Sequence, residues 1–264
     1  MLKTILRSPA ITVLLFVMAA ALLGFGTVGA VQAAPSIQSH DYQAEVRLTN
    51  IGTALTEYSE SETQKNEVTG DETHFITREN DDFLLRNLLK DANDDQFKIG
   101  KEYSYKLAVR NVANNGIDQH VRVTVQKFWV LTDDEGNPLT HDGSKQGKAY
   151  SLDPSLIELH FVEKGDERGH WTIDEDASTD ERTVLYYSGK LKPGDDSPNF
   201  TDKLTINGKV VTDIKHLADG SDQFNYEGVQ FRIKATVDAV QTHNGEAALD
   251  GTWGQHQYVE DIES

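Results

Sequence analysis

Residues 229–239 alternate strictly between apolar and polar side chains, and this stripe constrains the fold more than any other feature of the chain. A period of two residues is typical of a β-strand with one face in a core and one in water. The apolar positions are Val229, Phe231, Ile233, Ala235, Val237 and Ala239. We therefore expect a long strand in an antiparallel sheet.

Three other segments show the same period, at residues 42–48, 103–110 and 121–125. The phase changes through Lys127-Phe128-Trp129-Val130, which predicts a β-bulge or a barrel-like corner there. Weaker strands are expected at 183–188 and 203–206, joined through the Pro193-Gly194 turn.

Helical periodicity is scarce. It predicts one short amphipathic helix over Asp81–Lys90, with further helical turns at 154–159 and 213–218. The polar, glutamate-rich stretch 56–72 is expected to be a mobile loop. Many short strands with few helices predict an all-β fold, an antiparallel two-sheet sandwich with short helical insertions, of jelly-roll or immunoglobulin-like topology.

The N-terminus has the order of a secretory signal. Lys3 and Arg7 precede an apolar run at 11–23 and a small-residue stretch at 24–34. Val31-Gln32-Ala33 predicts signal-peptidase cleavage between Ala33 and Ala34, leaving one domain at 34–264. The alternative is an uncleaved membrane anchor.

Charge and composition exclude several classes of protein. The 264 residues contain 43 acidic and 25 basic groups, a formal net charge of −18, so we expect no nucleic-acid partner. Cysteine is absent, as is common in exported Gram-positive proteins, so no disulfide or thiolate metal site can form.

No catalytic or cofactor motif is present in the sequence. The nine histidines lack the His-Glu-x-x-His spacing, and there is no Gly-x-Ser-x-Gly elbow. Asp133–Asn137 is read as a hairpin turn rather than a calcium loop, because position 144 is a serine. Core packing is favoured over a carbohydrate platform for the three tryptophans, Trp129, Trp171 and Trp253. We therefore expect no enzyme activity, no metal and no cofactor.

Two blocks of the chain resemble the TasA/camelysin family of exported bacterial proteins. The first is Tyr103–Asn111 followed by Val121–Val125; the second runs from Tyr226-Glu227-Gly228 through Val240-Gln241-Thr242-His243-Asn244 to Ala247-Ala248 and Trp253-Gly254. The Lys190–Gly194 turn fits as well. The resemblance covers residues 36–254 and is weakest over 57–95.

The resemblance implies a jelly-roll-like sandwich that is secreted and forms fibres in the extracellular matrix, such as a biofilm, or at the cell surface. The expected partners are copies of the same chain, signal peptidase, and accessory matrix or anchoring proteins. In such fibres an N-terminal segment completes a sheet of the neighbouring subunit. The candidate donor residues are Ala34, Pro35, Ser36, Ile37, Gln38, Ser39, His40, Tyr42, Ala44, Val46 and Leu48.

Three alternatives remain. Residues 42–48 are equally compatible with pairing inside their own subunit. Camelysin is described as a metallopeptidase, which implies a cell-surface enzyme as the second hypothesis. A surface adhesin or carbohydrate-binding module is the third, supported only by the fold and the aromatic residues.

Overall fold

The computed structural model describes residues 52–78, 84–85, 87–95, 97–114, 116–131, 152–216, 222–226 and 229–260. The chain divides into two compact units, residues 1–49 and 50–264, and every described residue belongs to the second. The predicted signal peptide, its cleavage site and the Asp133–Asn137 turn lie outside the described residues. No described helix is long and apolar enough to cross a membrane.

Fourteen strands are described: β1 (Thr53–Tyr58), β2 (Gln64–Lys65), β3 (Glu72–Thr73), β4 (Phe75–Arg78), β5 (Tyr103–Ser104), β6 (Leu107–Asn111), β7 (Gln119–Leu131), β8 (Ile157–Phe161), β9 (Trp171–Ile173), β10 (Arg182–Tyr187), β11 (Thr201–Ile206), β12 (Ile214–His216), β13 (Asp222–Phe224) and β14 (Val229–Gln241). The described helices are α1 (Leu88–Asp91) and α2 (Gly245–Trp253), with 3-10 turns at Pro154–Leu156 and Gly208–Val211.

The strands form two antiparallel layers. One layer is the sheet β14-β7-β10-β9. The other joins the sheets β4-β1-β6 and β5-β11-β8, because backbone N–H groups of Ser197 and Phe200 donate to carbonyls of Val109 and Leu107 on β6. β2 pairs with β3 and β12 with β13 as small separate hairpins. The predicted all-β sandwich with short helical insertions is confirmed.

The main core lies between these layers. Val121, Val123, Leu107, Leu185 and Leu204 are completely buried in it. Their side chains come from both layers, since alternate residues of each strand face the partner sheet. The strands predicted at 121–125, 183–188, 203–206 and 229–239 are confirmed with small shifts in their ends, whereas the strand predicted at 103–110 is divided into β5 and β6, which belong to different sheets.

The predicted bulge in β7 is wrong. β7 pairs with β14 in unbroken register from Leu131↔Val229 to Gln119↔Gln241. Trp129 keeps the inward phase of the valines and is 4% exposed. The apparent phase change arises because Lys127 occupies the inward position between Val125 and Trp129. Its ammonium donates to the Ile157 carbonyl at 2.7 Å. Its buried stem lets a charged residue occupy an apolar position.

The short helix predicted over Asp81–Lys90 also differs from the structure. The described helix α1 begins at Leu88 and forms a single turn. Leu85 has a φ of 72°, which no α-helix accommodates. Its backbone N–H donates instead to the Glu57 carboxylate at 2.7 Å. A tertiary hydrogen bond therefore replaces a helical one.

Two further segments differ from their prediction. The helical turn expected near 213–218 is the strand β12 at 214–216. The first three residues of the predicted 56–72 loop, Thr56, Glu57 and Tyr58, belong to β1, and Thr56 and Glu57 are buried. β1 is the central strand of its sheet, between β4 and β6, so both of its backbone edges are paired.

A second, smaller core lies on the outer side of the sheet that contains β7. Helix α2 and the segment after it contribute Leu249, Trp253 and Val259, which pack against Val184 and Tyr186 of β10 and Val240 of β14. α2 therefore covers one end of this sheet.

Candidate functional site

The edge of the sandwich formed by β14 is the most distinctive surface of the described residues. β14 is the end strand of its sheet, is 13 residues long and pairs along its whole length with β7. Among the described strands, β7 is its only partner. A strand of this length with one unpaired edge is a template for pairing with another chain.

The apolar row of β14 is less buried than the row beside it. Val229, Phe231, Ile233, Ala235, Val237 and Ala239 all pack against the main core, yet each is only half-buried. The neighbouring residues Val121, Val123 and Val125 of β7 are at most 1% exposed. A further strand beside β14 would remove apolar surface from water, at about 25 cal/mol per Å².

The outward face of β14 is exposed and partly basic. Gln230, Arg232, Lys234 and Thr236 alternate with the apolar row and are exposed. Arg232 and Lys234 form a local basic pair on a chain whose net charge is −18. An incoming strand that carries a carboxylate would meet a favourable field here.

The end of β14 nearest α2 is closed by tertiary contacts. Asp238 accepts from the Arg122 guanidinium at 2.8 Å, and Val240 is 6% exposed under α2. The Arg122 guanidinium also lies 5.4 Å from the centre of the Trp253 ring. Outside these contacts β14 runs from Val229 to Val237, where β7 is its only hydrogen-bonded partner among the described strands.

The proposed donor segment lies outside the described residues, as do Ala33 and Ala34 at the predicted cleavage site. The structure therefore brings none of the predicted subunit-interaction residues, Ala34 to Leu48, to a described position. The described chain begins at Gly52, and β1 starts at Thr53.

The tryptophans are packing residues. Trp129, Trp171 and Trp253 are 4%, 0% and 9% exposed. Their indole rings contact Tyr226, Tyr187 and Tyr186 respectively, at centroid distances of 4.9–5.5 Å. This confirms the preference for packing, and the rings do not present the flat exposed platform that a sugar-binding site needs.

A polar recess of about 480 Å³ lies between the β2–β3 region and the segment before β11. Asp196, which lines the recess, accepts from Nη2 of the Arg110 guanidinium at 2.6 Å, and the Arg110 side chain is 2% exposed. Burial raises the pKa of Asp196, and the Arg110 guanidinium opposes that rise. The Asn66 amide donates to the Gly194 carbonyl at 2.7 Å. These contacts join separate loops, so we interpret the ion pair as a structural one.

Within the described part of the chain, one group of three side chains of the types that ligate metal ions lies close together: Glu246, Asp250 and His256. Sequence reasoning missed it because the ligands follow no known motif. Glu246 and Asp250 are spaced i, i+4 on α2, a spacing that places two side chains on one helix face.

Comparisons of this chain with protein-family models, with curated proteins and with solved structures found no match.

Proposed function

We propose that the protein is a secreted structural protein of the TasA type, which assembles into extracellular matrix or cell-surface fibres by strand exchange between subunits. The observation that carries the proposal is the 13-residue edge strand β14 with its half-buried apolar row. The resemblance adds support, because its two blocks coincide with β5–β7 and with the β14–α2 region.

The donor is the segment Ala34–Leu48 of a neighbouring subunit. Extended at about 3.3 Å per residue, the part Tyr42–Leu48 spans about 23 Å, within the roughly 30 Å of β14 from Val229 to Val237. Tyr42, Ala44, Val46 and Leu48 alternate with polar residues, as a strand facing the β14 apolar row requires.

Charge favours antiparallel pairing of the donor with β14. In the register that sets Glu45 opposite Arg232, Arg47 faces Gln230 and Gln43 faces Lys234, so no like charges meet. The same register places Tyr42 opposite Ala235 and Val46 opposite Phe231, pairing large with small side chains. A parallel strand with Glu45 at Arg232 would set Arg47 against Lys234.

Deletion of residues 34–48 tests the donor. The chain beginning at Thr49 should keep the circular dichroism spectrum of the chain beginning at Ala34, while electron microscopy shows that fibres are lost. Val46→Pro, opposite Phe231 in this register, should weaken fibre formation because proline removes a ladder donor. Val46→Ile is the matched control and should form fibres normally. Fibres of normal length from the truncated chain would rule out an N-terminal donor.

Disulfide trapping tests β14 as the acceptor strand. Because the chain has no native cysteine, every disulfide that forms joins introduced residues. Gln43→Cys and Lys234→Cys chains, mixed and oxidised, should give a cross-linked dimer on a non-reducing gel. Thr252→Cys, on the exposed face of α2, replaces Lys234→Cys as the control and should not cross-link. If a chain that carries both cysteines forms an intramolecular disulfide and no cross-linked dimer, the segment pairs within its own subunit and the proposal is wrong.

A peptidase assay on the same cleaved protein separates this function from the camelysin-like alternative. We expect no hydrolysis of casein or of a peptide library, with or without stoichiometric zinc. Zinc-dependent proteolysis would replace the structural function with an enzymatic one.

A further inference from the structure

Helix α2 and the chain that follows it bring an imidazole onto a pair of carboxylates. Glu246 and Asp250 lie one turn apart on α2. The helix ends at Gly254, which has a φ of 73° and whose N–H donates to the Asp250 carbonyl. A left-handed residue at this position reverses the chain direction, so His256 lies back over the last turn of the helix.

The distances suit a shared cation. His256 Nδ1 lies 2.7 Å from Asp250 Oδ1, and His256 Nε2 lies 3.9 Å from Glu246 Oε1. One ligand atom from each of the three residues lies within 4.8 Å of the others. Two bonds of about 2.1 Å at a tetrahedral ion separate their ligand atoms by about 3.4 Å, so a small side-chain rotation brings Glu246 and His256 into range.

The ring of His256 is oriented as in many metal sites. One ring nitrogen is held by a carboxylate, while the other faces a second potential ligand. The three side chains are 40–64% exposed, so an ion can reach them from solvent.

We propose that the His256 imidazole, through Nε2, and the Glu246 carboxylate bind one divalent cation of the zinc class, while Asp250 holds the imidazole through Nδ1. An imidazole ligand beside two carboxylates selects a borderline transition metal over calcium or magnesium, which prefer oxygen ligands only. The proposal is independent of strand exchange at β14.

The bound ion fastens the C-terminal segment to α2. That segment is held in the fold by the Glu260 N–H, which donates to the Ser188 carbonyl at 2.8 Å, and by Val259 in the second core. Tyr258 also stacks on Tyr186, with ring centroids 5.0 Å apart. Ligation by His256 adds a cross-link between the helix and these contacts, and it stabilises the folded state in proportion to metal affinity.

Calorimetric titration of the purified protein with zinc chloride tests the site. We expect one zinc ion per chain, and an affinity at least tenfold lower in His256→Gln and in Glu246→Gln. His160→Gln is the matched control, because His160 Nδ1 also pairs with an exposed carboxylate, that of Asp202, at 2.6 Å. The control should bind zinc as the wild type does.

Two further measurements decide the interpretation. Zinc should raise the melting temperature of the wild type and of His160→Gln but not that of His256→Gln, while all variants keep the same circular dichroism spectrum. Calcium chloride should bind at least tenfold more weakly than zinc. Absence of zinc binding, equal binding by all variants, which would indicate adventitious surface carboxylates only, or tighter binding of calcium would each overturn the assignment.

Discussion

At the scale of single residues, the Glu57 carboxylate joins three parts of the chain. Its Oε2 accepts from the Arg78 guanidinium at 2.8 Å through Nε, and its Oε1 accepts from the Leu85 N–H at 2.7 Å. The two charged side chains are 3% and 6% exposed. A buried charge that loses its partner is costly, because water no longer solvates it.

We expect Glu57→Gln to lower the free energy of unfolding by about 3 kcal/mol, since it leaves the Arg78 guanidinium buried without its counter-charge. Urea denaturation measures the change. Lys90→Gln is the control, because its ion pair with Glu62 is exposed on both sides and contributes less than about 1 kcal/mol. If Glu57→Gln lowers the free energy of unfolding by less than about 1 kcal/mol, the buried ion pair with Arg78 contributes little to stability.

Asp94 contributes to the dependence of stability on acid pH. Hydrogen bonds from Lys101 and Lys98 lower the pKa of this carboxyl from 3.8 to about 2. A carboxyl with a lowered folded-state pKa stabilises the fold above its unfolded pKa and loses that contribution as the pH falls through 2. The urea midpoints of wild type and Asp94→Asn should therefore differ at pH 6 and converge towards pH 2. Asp95→Asn, next to it and exposed, should show no such convergence.

At the scale of elements, α2 depends on one aromatic residue. Trp253 is 9% exposed, lies 5.5 Å from the Tyr186 ring centre and is covered by Arg122. We expect Trp253→Ala to lower the free energy of unfolding by about 3 kcal/mol, because it leaves a large cavity between helix and sheet. Thr252→Ala, one residue earlier and exposed, should change it by less than about 0.5 kcal/mol. Similar losses in both variants, measured by urea denaturation, would mean that α2 does not pack as a unit.

Element predictions succeeded where a local period coincided with burial on one face. β14 and the first part of β7 follow directly from alternating residues. Lys127 is an exception to the alternation of apolar and polar residues, because it occupies an inward position and its ammonium donates to the Ile157 carbonyl. Leu85 ended the predicted helix for a similar reason, since its N–H has a better acceptor in Glu57 than in its own turn.

At the scale of the whole molecule, the negative net charge would oppose the proposed assembly of subunits. The proposed cleavage after Ala33 would remove Lys3 and Arg7 and leave 23 basic and 43 acidic groups, a formal charge of −20. Raising the salt concentration shortens the screening length to about 8 Å at 0.15 M, and lowering the pH neutralises carboxylates. Fibre formation, followed by light scattering, should accelerate with sodium chloride and below pH 5. Assembly that is fastest at low salt and neutral pH would contradict simple repulsion between subunits.

The sequence by itself determined the all-β class, the longest strands and the absence of disulfides, because alternation and composition act through neighbours along the chain. Tertiary structure decided that β14 is the end strand among the described strands of its sheet, that Glu57 is buried with Arg78, and that His256 contacts Asp250. These depend on which strands become neighbours and on where the chain reverses, as at Gly254. Contacts between residues far apart in sequence are selected by packing of the whole core, so no local pattern encodes them.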